Sequence, residues 1–159
     1  MKRIILMRHG NAESSYQVND FDRNLTEFGI KEIKNNVEKL NSFKIIPDKI
    51  IVSKAARTQQ TFSIYDDITK FKGVVVNDKR LYDFHNTSEF IAEYVENTDD
   101  TLNTIMFIGH NPTLSNLLQM LTGDIGIYMD TASIFVIDFN VNMWQNIEVR
   151  TGKLHFSTN

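Results

Sequence analysis

Two histidines and three arginines stand at positions where their side chains can act together. Arg8-His9-Gly10 follows an apolar run, Arg57 lies four residues after Ser53 at the end of another, and His110 follows Gly109 at the end of a third, while Arg23 sits three residues before a helix start at Thr26. Fixed guanidinium forks present paired donors to an anion whose charge is spread over several oxygens, which suits a phosphoryl group in transfer better than ammonium groups do. A neutral imidazole beside them can attack phosphorus and divide one difficult displacement into two. Neighbouring positive charge is expected to hold the His9 pKa down and keep it neutral, and a nearby carbonyl to fix its tautomer by accepting the other N–H. Gly10, without a Cβ, allows close backbone approach. Taken singly, His110 before a helix reads as a cap or packing residue, and Arg23 or Arg57 as a solvated charge. Their joint placement at strand ends is what makes a site.

That placement rests on the elements the chain predicts. Arg3 to Met7 reads as a strand buried on both faces, as do Lys49 to Ser53 and Thr104 to Ile108, with Gly73 to Asn77 as a further strand. Thr26 is suited to cap a helix whose inner face is Ile30, Ile33, Val37 and Leu40, with Leu25 and Ile30 at staple positions. Ser53 is suited to cap a helix through Arg57, Phe62 and Tyr65, and a further helix begins at Asn86. Asn111-Pro112, a strong cap followed by a residue preorganised for the first turn, opens another, with Leu114, Leu117, Leu118 and Leu121 inward. Ser133 to Phe139 and Trp144 to Arg150 read as two strands joined by a polar turn around Asn140 and Asn142. Strands alternating with helices predict a three-layer α/β/α sandwich with a mostly parallel central sheet, in which ligands bind beyond the carboxyl ends of the strands.

The remaining composition narrows the function class. The 159 residues, 42% of them hydrophobic, fit one domain spanning 1–159 with a core that needs no staple. The absence of cysteine excludes thiol catalysis and cysteine-ligated zinc. Seventeen Lys and Arg against twenty Asp and Glu, without a basic run, argue against a nucleic-acid partner. The apolar start is too short for a signal sequence, and no segment is long enough to cross a membrane, so a soluble cytoplasmic protein is expected.

Met7-Arg8-His9-Gly10, Arg23-Asn24-Leu25-Thr26 with Gly29, Ser53 followed by Arg57 and Thr61, and Gly109-His110-Asn111-Pro112 resemble the successive signatures of the histidine phosphatase superfamily, which includes phosphoglycerate mutases. The compact length, Arg80-Leu81-Tyr82 and Thr131-Ala132-Ser133 are similar to its short SixA-type phosphohistidine phosphatases. The resemblance implies a phosphoglycerate mutase-like fold and a metal-independent hydrolase without cofactor. It implies His9 as nucleophile, Arg8, Arg23 and Arg57 as ligands of the phosphoryl oxygens, His110 completing the pocket as a donor if protonated, and Gly10 and Asn11 beside the substrate.

Larger members of that family that cleave esters carry a carboxylic acid, usually Glu, shortly after the third strand. Here the stretch reads Arg80-Leu81-Tyr82-Asp83-Phe84, so Asp83 is the candidate general acid, with a solvated loop residue as the alternative. Lack of an acid favours phosphohistidine, whose imidazole departs neutral when its other nitrogen already carries a proton. Between Arg57 and His110 there is little length for a covering insertion, which leaves a pocket open to a phosphorylated side chain on a phosphorelay or phosphocarrier protein. The alternatives are a small-molecule phosphomonoesterase using Asp83 and a non-catalytic phosphate-binding module. A mutase is disfavoured by a pocket open to water, and a metal site by arginines in place of carboxylates. His85 and His155 read as surface or packing residues.

Overall fold

A computed structural model describes residues 1–14, 16, 18–83 and 86–159. The strands β1 (Lys2–Arg8), β2 (Lys49–Ser53), β3 (Val74–Asp78), β4 (Thr104–Gly109), β5 (Ile134–Phe139) and β6 (Lys153–Ser157) form one sheet in the order β3-β2-β4-β1-β5-β6. The first four run parallel, and β5 and β6 are antiparallel additions. Alternate residues of β1 enter opposite layers, as strand geometry requires. Ile5 and Met7 pack with Ile33, Val37 and Leu40 of helix α1 (Glu27–Ser42) and Tyr65 of α2 (Ala56–Thr69). Ile4 and Leu6 pack on the other face with Leu114, Leu117 and Leu118 of a helix at Thr113–Thr122 and with Phe90, which ends a short helix at Thr87–Phe90. Each such fully buried side chain contributes roughly 1.5–3 kcal/mol, so both layers hold the sheet that positions the site. The three-layer, mostly parallel fold is the expected one.

Between β3 and β4 the chain makes α3 (Arg80–Asp83) and α4 (Thr87–Phe90), which continues as a π-helical turn through Ile91–Glu96, and the Thr113–Thr122 helix is α5. A helix begins after Asn86 as expected, and the Asn86 side chain caps it by accepting from the Ser88 and Glu89 N–H groups. Thr26 caps α1 by accepting from the Gly29 N–H at 3.0 Å. A Cβ on Gly29 would lie 2.1 Å from the Asn11 carbonyl oxygen, so only glycine lets α1 pass so close behind the loop that carries His9.

Three local expectations are corrected. Ser53 does not cap α2, whose N-cap is Ala55 without a side-chain bond, because the Ser53 hydroxyl is engaged at His110. Asn111 is not the N-cap of α5: Pro112 holds that place after a cis bond, and the Asn111 carboxamide oxygen reaches forward to the Ser115 N–H and hydroxyl at 3.3 and 2.9 Å. Trp144 to Arg150 is not a strand. Trp144 and Ile147, three apart on a 3-10 turn, both enter the core, and the indole N–H donates to the Leu102 carbonyl at 2.9 Å. The final strand therefore starts only at Lys153, past Gly152, where a Cβ would meet the Ile137 side chain at 2.6 Å.

Candidate active site

Strands β1 and β4 are neighbours in parallel register, with Arg8 opposite Gly109. The next residue of each strand therefore projects at the same sheet edge, and the His9 and His110 ring centroids lie 5.1 Å apart. The His9 backbone is fixed on both sides: its N–H donates to the Gly109 carbonyl at 3.1 Å and its carbonyl accepts from the Ala132 N–H at 3.0 Å. Its ring is pinned as well. Nδ1 lies 2.7 Å from the Gly10 carbonyl, which can only accept, so Nδ1 carries the proton. Arg57 Nε donates to Nε2 at 3.1 Å, so Nε2 holds the lone pair. Both contacts require the same tautomer, the one with a nucleophilic Nε2.

His9 is 8% exposed, and its pKa falls from 6.5 to about 4. Burial is the largest cause; the Gly10 carbonyl opposes it, and Arg57, Arg8 and Arg23 reinforce it. The neutrality read from the sequence holds, although desolvation contributes more than the arginines. His110 is pushed to about 3 by burial first and then by repulsion from His9 and Arg57. It is therefore neutral at ordinary pH in the free protein, so the condition attached to its donor role, protonation, is not met there. Its Nε2 lies 2.8 Å from the Ser53 hydroxyl, a partner whose signal in the sequence was its place at the end of β2.

These shifts fix a pH dependence. In the unfolded chain both rings titrate near 6.5, whereas folded His9 titrates near 4 and folded His110 near 3. Between those limits the unfolded state binds more protons, so stability declines as pH falls from about 6.5. Asp20 and Asp78, held below the usual carboxylate range by hydrogen bonds and by neighbouring arginines, extend the loss in the same direction below about 3.8. Thermal denaturation should show Tm dropping steadily from pH 7 to pH 4, with a shallower drop in His9→Asn. A Tm constant over that interval would exclude buried neutral histidines.

The arginines converge on the same edge. Arg8 donates from Nη1 to the Met129 carbonyl at 2.9 Å, while its Nε and the His110 Nδ1 are buried without a hydrogen-bond partner among the described residues. Arg8 Nε is an N–H in every state of the guanidinium, and a buried donor lacking an acceptor costs about 1–3 kcal/mol. Arg57 donates from Nη1 to the Asp20 carbonyl at 2.5 Å and from Nη2 to Asp20 Oδ2 at 3.1 Å. Arg23 donates from Nη1 to Asp20 Oδ1 at 2.7 Å and from Nε to the Glu13 carbonyl. Tyr82 donates its hydroxyl to Asp20 Oδ2 at 2.6 Å, and its ring stands edge-on to His110 at 5.3 Å.

Asp20 and Tyr82 were missed in the sequence. The only signal for Asp20 was a carboxylate three residues before Arg23. Gly10 and Asn11 are occupied by the protein itself: the Gly10 N–H reaches the Thr61 hydroxyl at 3.4 Å, and Asn11 Oδ1 accepts from the Thr26 hydroxyl at 2.8 Å. Asp83 is exposed and lines a surface pocket with Asn19, Phe21, Asp22, Lys79 and Tyr82. His155 is exposed beside Asp138 at 3.0 Å, in keeping with a surface residue, and His85 lies outside the described residues.

Known proteins are similar to this chain in sequence and in fold. The chain is 25% identical over 95% of its length to an uncharacterized chloroplastic protein of Arabidopsis thaliana, covering 72% of that protein. Its fold superposes on the candidate phosphohistidine phosphatase SixA from Agrobacterium tumefaciens with a TM-score of 0.83 at 22% identity, covering 99% of this chain and 97% of that one. A protein histidine phosphatase SixA complexed with tungstate superposes with a TM-score of 0.82 at 20% identity, covering 98% and 95% of the two chains. The model of the histidine phosphatase superfamily, branch 1, matches residues 4–88, more than half of the sequence and the part that holds His9, Arg8, Arg23 and Arg57. With a buried His9 of fixed tautomer inside that match and arginines gathered around it, the chain belongs to the histidine phosphatase superfamily.

Proposed function

We propose that the protein hydrolyses phosphohistidine on a partner protein, without metal or cofactor. His9 Nε2 attacks phosphorus, the bond from phosphorus to the partner's imidazole nitrogen breaks, and that imidazole leaves neutral because its other nitrogen bears a proton. Water then attacks the phosphoryl group on His9, releasing inorganic phosphate and restoring the ring. Arg8, Arg23 and Arg57 offset the charge on the equatorial oxygens, while the Gly10 carbonyl holds the Nδ1 proton and stabilises the phosphorylated ring.

The observation that carries this reading is the state of the carboxylate that touches the site arginines. Asp20 accepts from Tyr82, Arg23 and Arg57, which hold it ionised and unable to protonate an alkoxide. An imidazole leaving group needs no such acid. The likeness to SixA folds, and the short span of α2, β3, α3 and α4 between Arg57 and His110, support a phosphorelay or phosphocarrier protein as substrate.

A panel of phosphohistidine peptide, phosphoserine peptide, a sugar phosphate and an aryl phosphate, assayed without added metal, tests the proposal. Phosphohistidine should be turned over fastest, and Asp83→Asn should leave that rate nearly unchanged. Efficient sugar-phosphate hydrolysis that Asp83→Asn lowers by about a hundredfold, the usual contribution of a positioned proton donor, would make the protein a phosphomonoesterase instead. Phosphate binding without turnover on any substrate would make it a binding module.

A further inference from the structure

The anion-binding edge of this pocket is already engaged by the chain itself. Arg57 directs Nη1 to the Asp20 carbonyl, Nη2 to Asp20 Oδ2 and Nε to His9 Nε2, so every nitrogen of its guanidinium has a protein partner. Asp20 Oδ1 takes Arg23, and Oδ2 also takes the Tyr82 hydroxyl. A carboxylate shown to guanidinium forks in this way imitates two oxygens of a phosphoryl group. The nucleophile is held at the same time, because the lone pair that must attack phosphorus accepts from Arg57.

We propose that Asp20 is a resident internal ligand of the phosphoryl subsite, and that substrate binds by exchange. The incoming phosphoryl oxygens take Arg57 and Arg23 from Asp20, and Arg57 Nε–H turns from His9 Nε2 to the phosphoryl group. This rests on the reading of His9 as nucleophile and of the arginines as phosphoryl ligands.

Burial decides which partner moves. The Asp20 side chain is 42% exposed and that of Arg57 is 6%, so the carboxylate can turn into water at small desolvation cost whereas the guanidinium cannot. Charge decides which anions succeed. A phosphoryl dianion carries more charge than one carboxylate and would also be drawn by Arg8, a charge that acts on His9 and whose Nε has no partner among the described residues, so it displaces Asp20 where singly charged anions do not. Asp20 thereby acts as a specificity-determining residue that lowers apparent affinity by the fraction of molecules in which it is bound.

Titration calorimetry with inorganic phosphate and with tungstate, on the unmodified protein, Asp20→Asn and Arg57→Ala, tests the exchange without any turnover. Asparagine keeps the shape and an acceptor oxygen but removes the competing charge, so Asp20→Asn should bind both anions roughly tenfold more tightly. Unchanged or weaker binding in Asp20→Asn, with binding still abolished by Arg57→Ala, overturns the exchange alone and leaves Asp20 as a brace for the arginines. Anion binding unaffected by Arg57→Ala overturns the phosphoryl site as well. A crystal structure of the unmodified protein with tungstate gives a second reading independent of variant folding: Asp20 should be out of hydrogen-bond reach of Arg57, and a retained contact refutes the proposal.

Discussion

His9→Ala is expected to abolish turnover on every phosphorylated substrate while leaving the fold intact. The covalent route needs an uncharged ring nitrogen at the carboxyl end of β1, and among the described residues no second group is held ready to replace it. His110 is neutral too, but the Ser53 hydroxyl engages its Nε2, and among the described residues its Nδ1 has no carbonyl partner of the kind that fixes the His9 tautomer. The fold should survive because the contacts that place residue 9 are made by its backbone, to Gly109 and Ala132, and alanine keeps both. Removal of the ring leaves a cavity at the sheet edge, but it also removes a buried polar group, so the change in Tm should be a few degrees at most. Rapid quench with labelled substrate should place acid-labile phosphate on His9 of the unmodified protein. Label on His110, or no protein label at any time point, would show that the nucleophile has been misassigned.

Much of this site could be read before any coordinates because its main residues follow directly on the strongest local signals. The apolar runs of β1, β2 and β4 are short and continuous, which identifies central parallel strands, and chemistry in such folds gathers where those strands end. His9 and His110 then fall side by side through strand register alone. Asp20 could not be found in this way. It sits on a 3-10 turn between β1 and α1, and its meeting with Arg57 and Tyr82 depends on tertiary placement across 37 and 62 residues. The charge state of His110 stays open in the sequence for a related reason, since the sequence shows the arginines around it but not the burial that lowers its pKa. The tail failed locally. Alternating polarity from Trp144 onward resembles a strand, yet the spacing of three between Trp144 and Ile147 is what the core uses.

Arg57→Ala should cost catalysis far more than stability. Arg57 contacts the nucleophile directly and offers further N–H donors toward the anion subsite. A donor aimed at charge that develops in the transition state contributes about 2.7–4 kcal/mol, or a hundredfold or more in rate. Arg57→Lys should recover only part of the loss, because one ammonium cannot contact His9 and the phosphoryl oxygens with the fixed fork of a guanidinium. The structural cost is limited, since Asp20 keeps Arg23 and Tyr82 as partners when Arg57 is gone. A further readout separates electrostatics from packing. Arg57 is one of the charges that lower the His9 pKa, behind burial, so its removal should move the acid limb of the pH–rate profile upward while leaving it below the free imidazole value of 6.5. Alanine and lysine variants compared on one aryl phosphate, with kcat/KM, the acid limb and Tm recorded together, give the decision. Normal turnover with a lowered Tm would make Arg57 a structural residue. A hundredfold loss with an upward-shifted acid limb in the alanine variant, and an unshifted limb in the lysine variant, would place its charge against His9 and the transferring group.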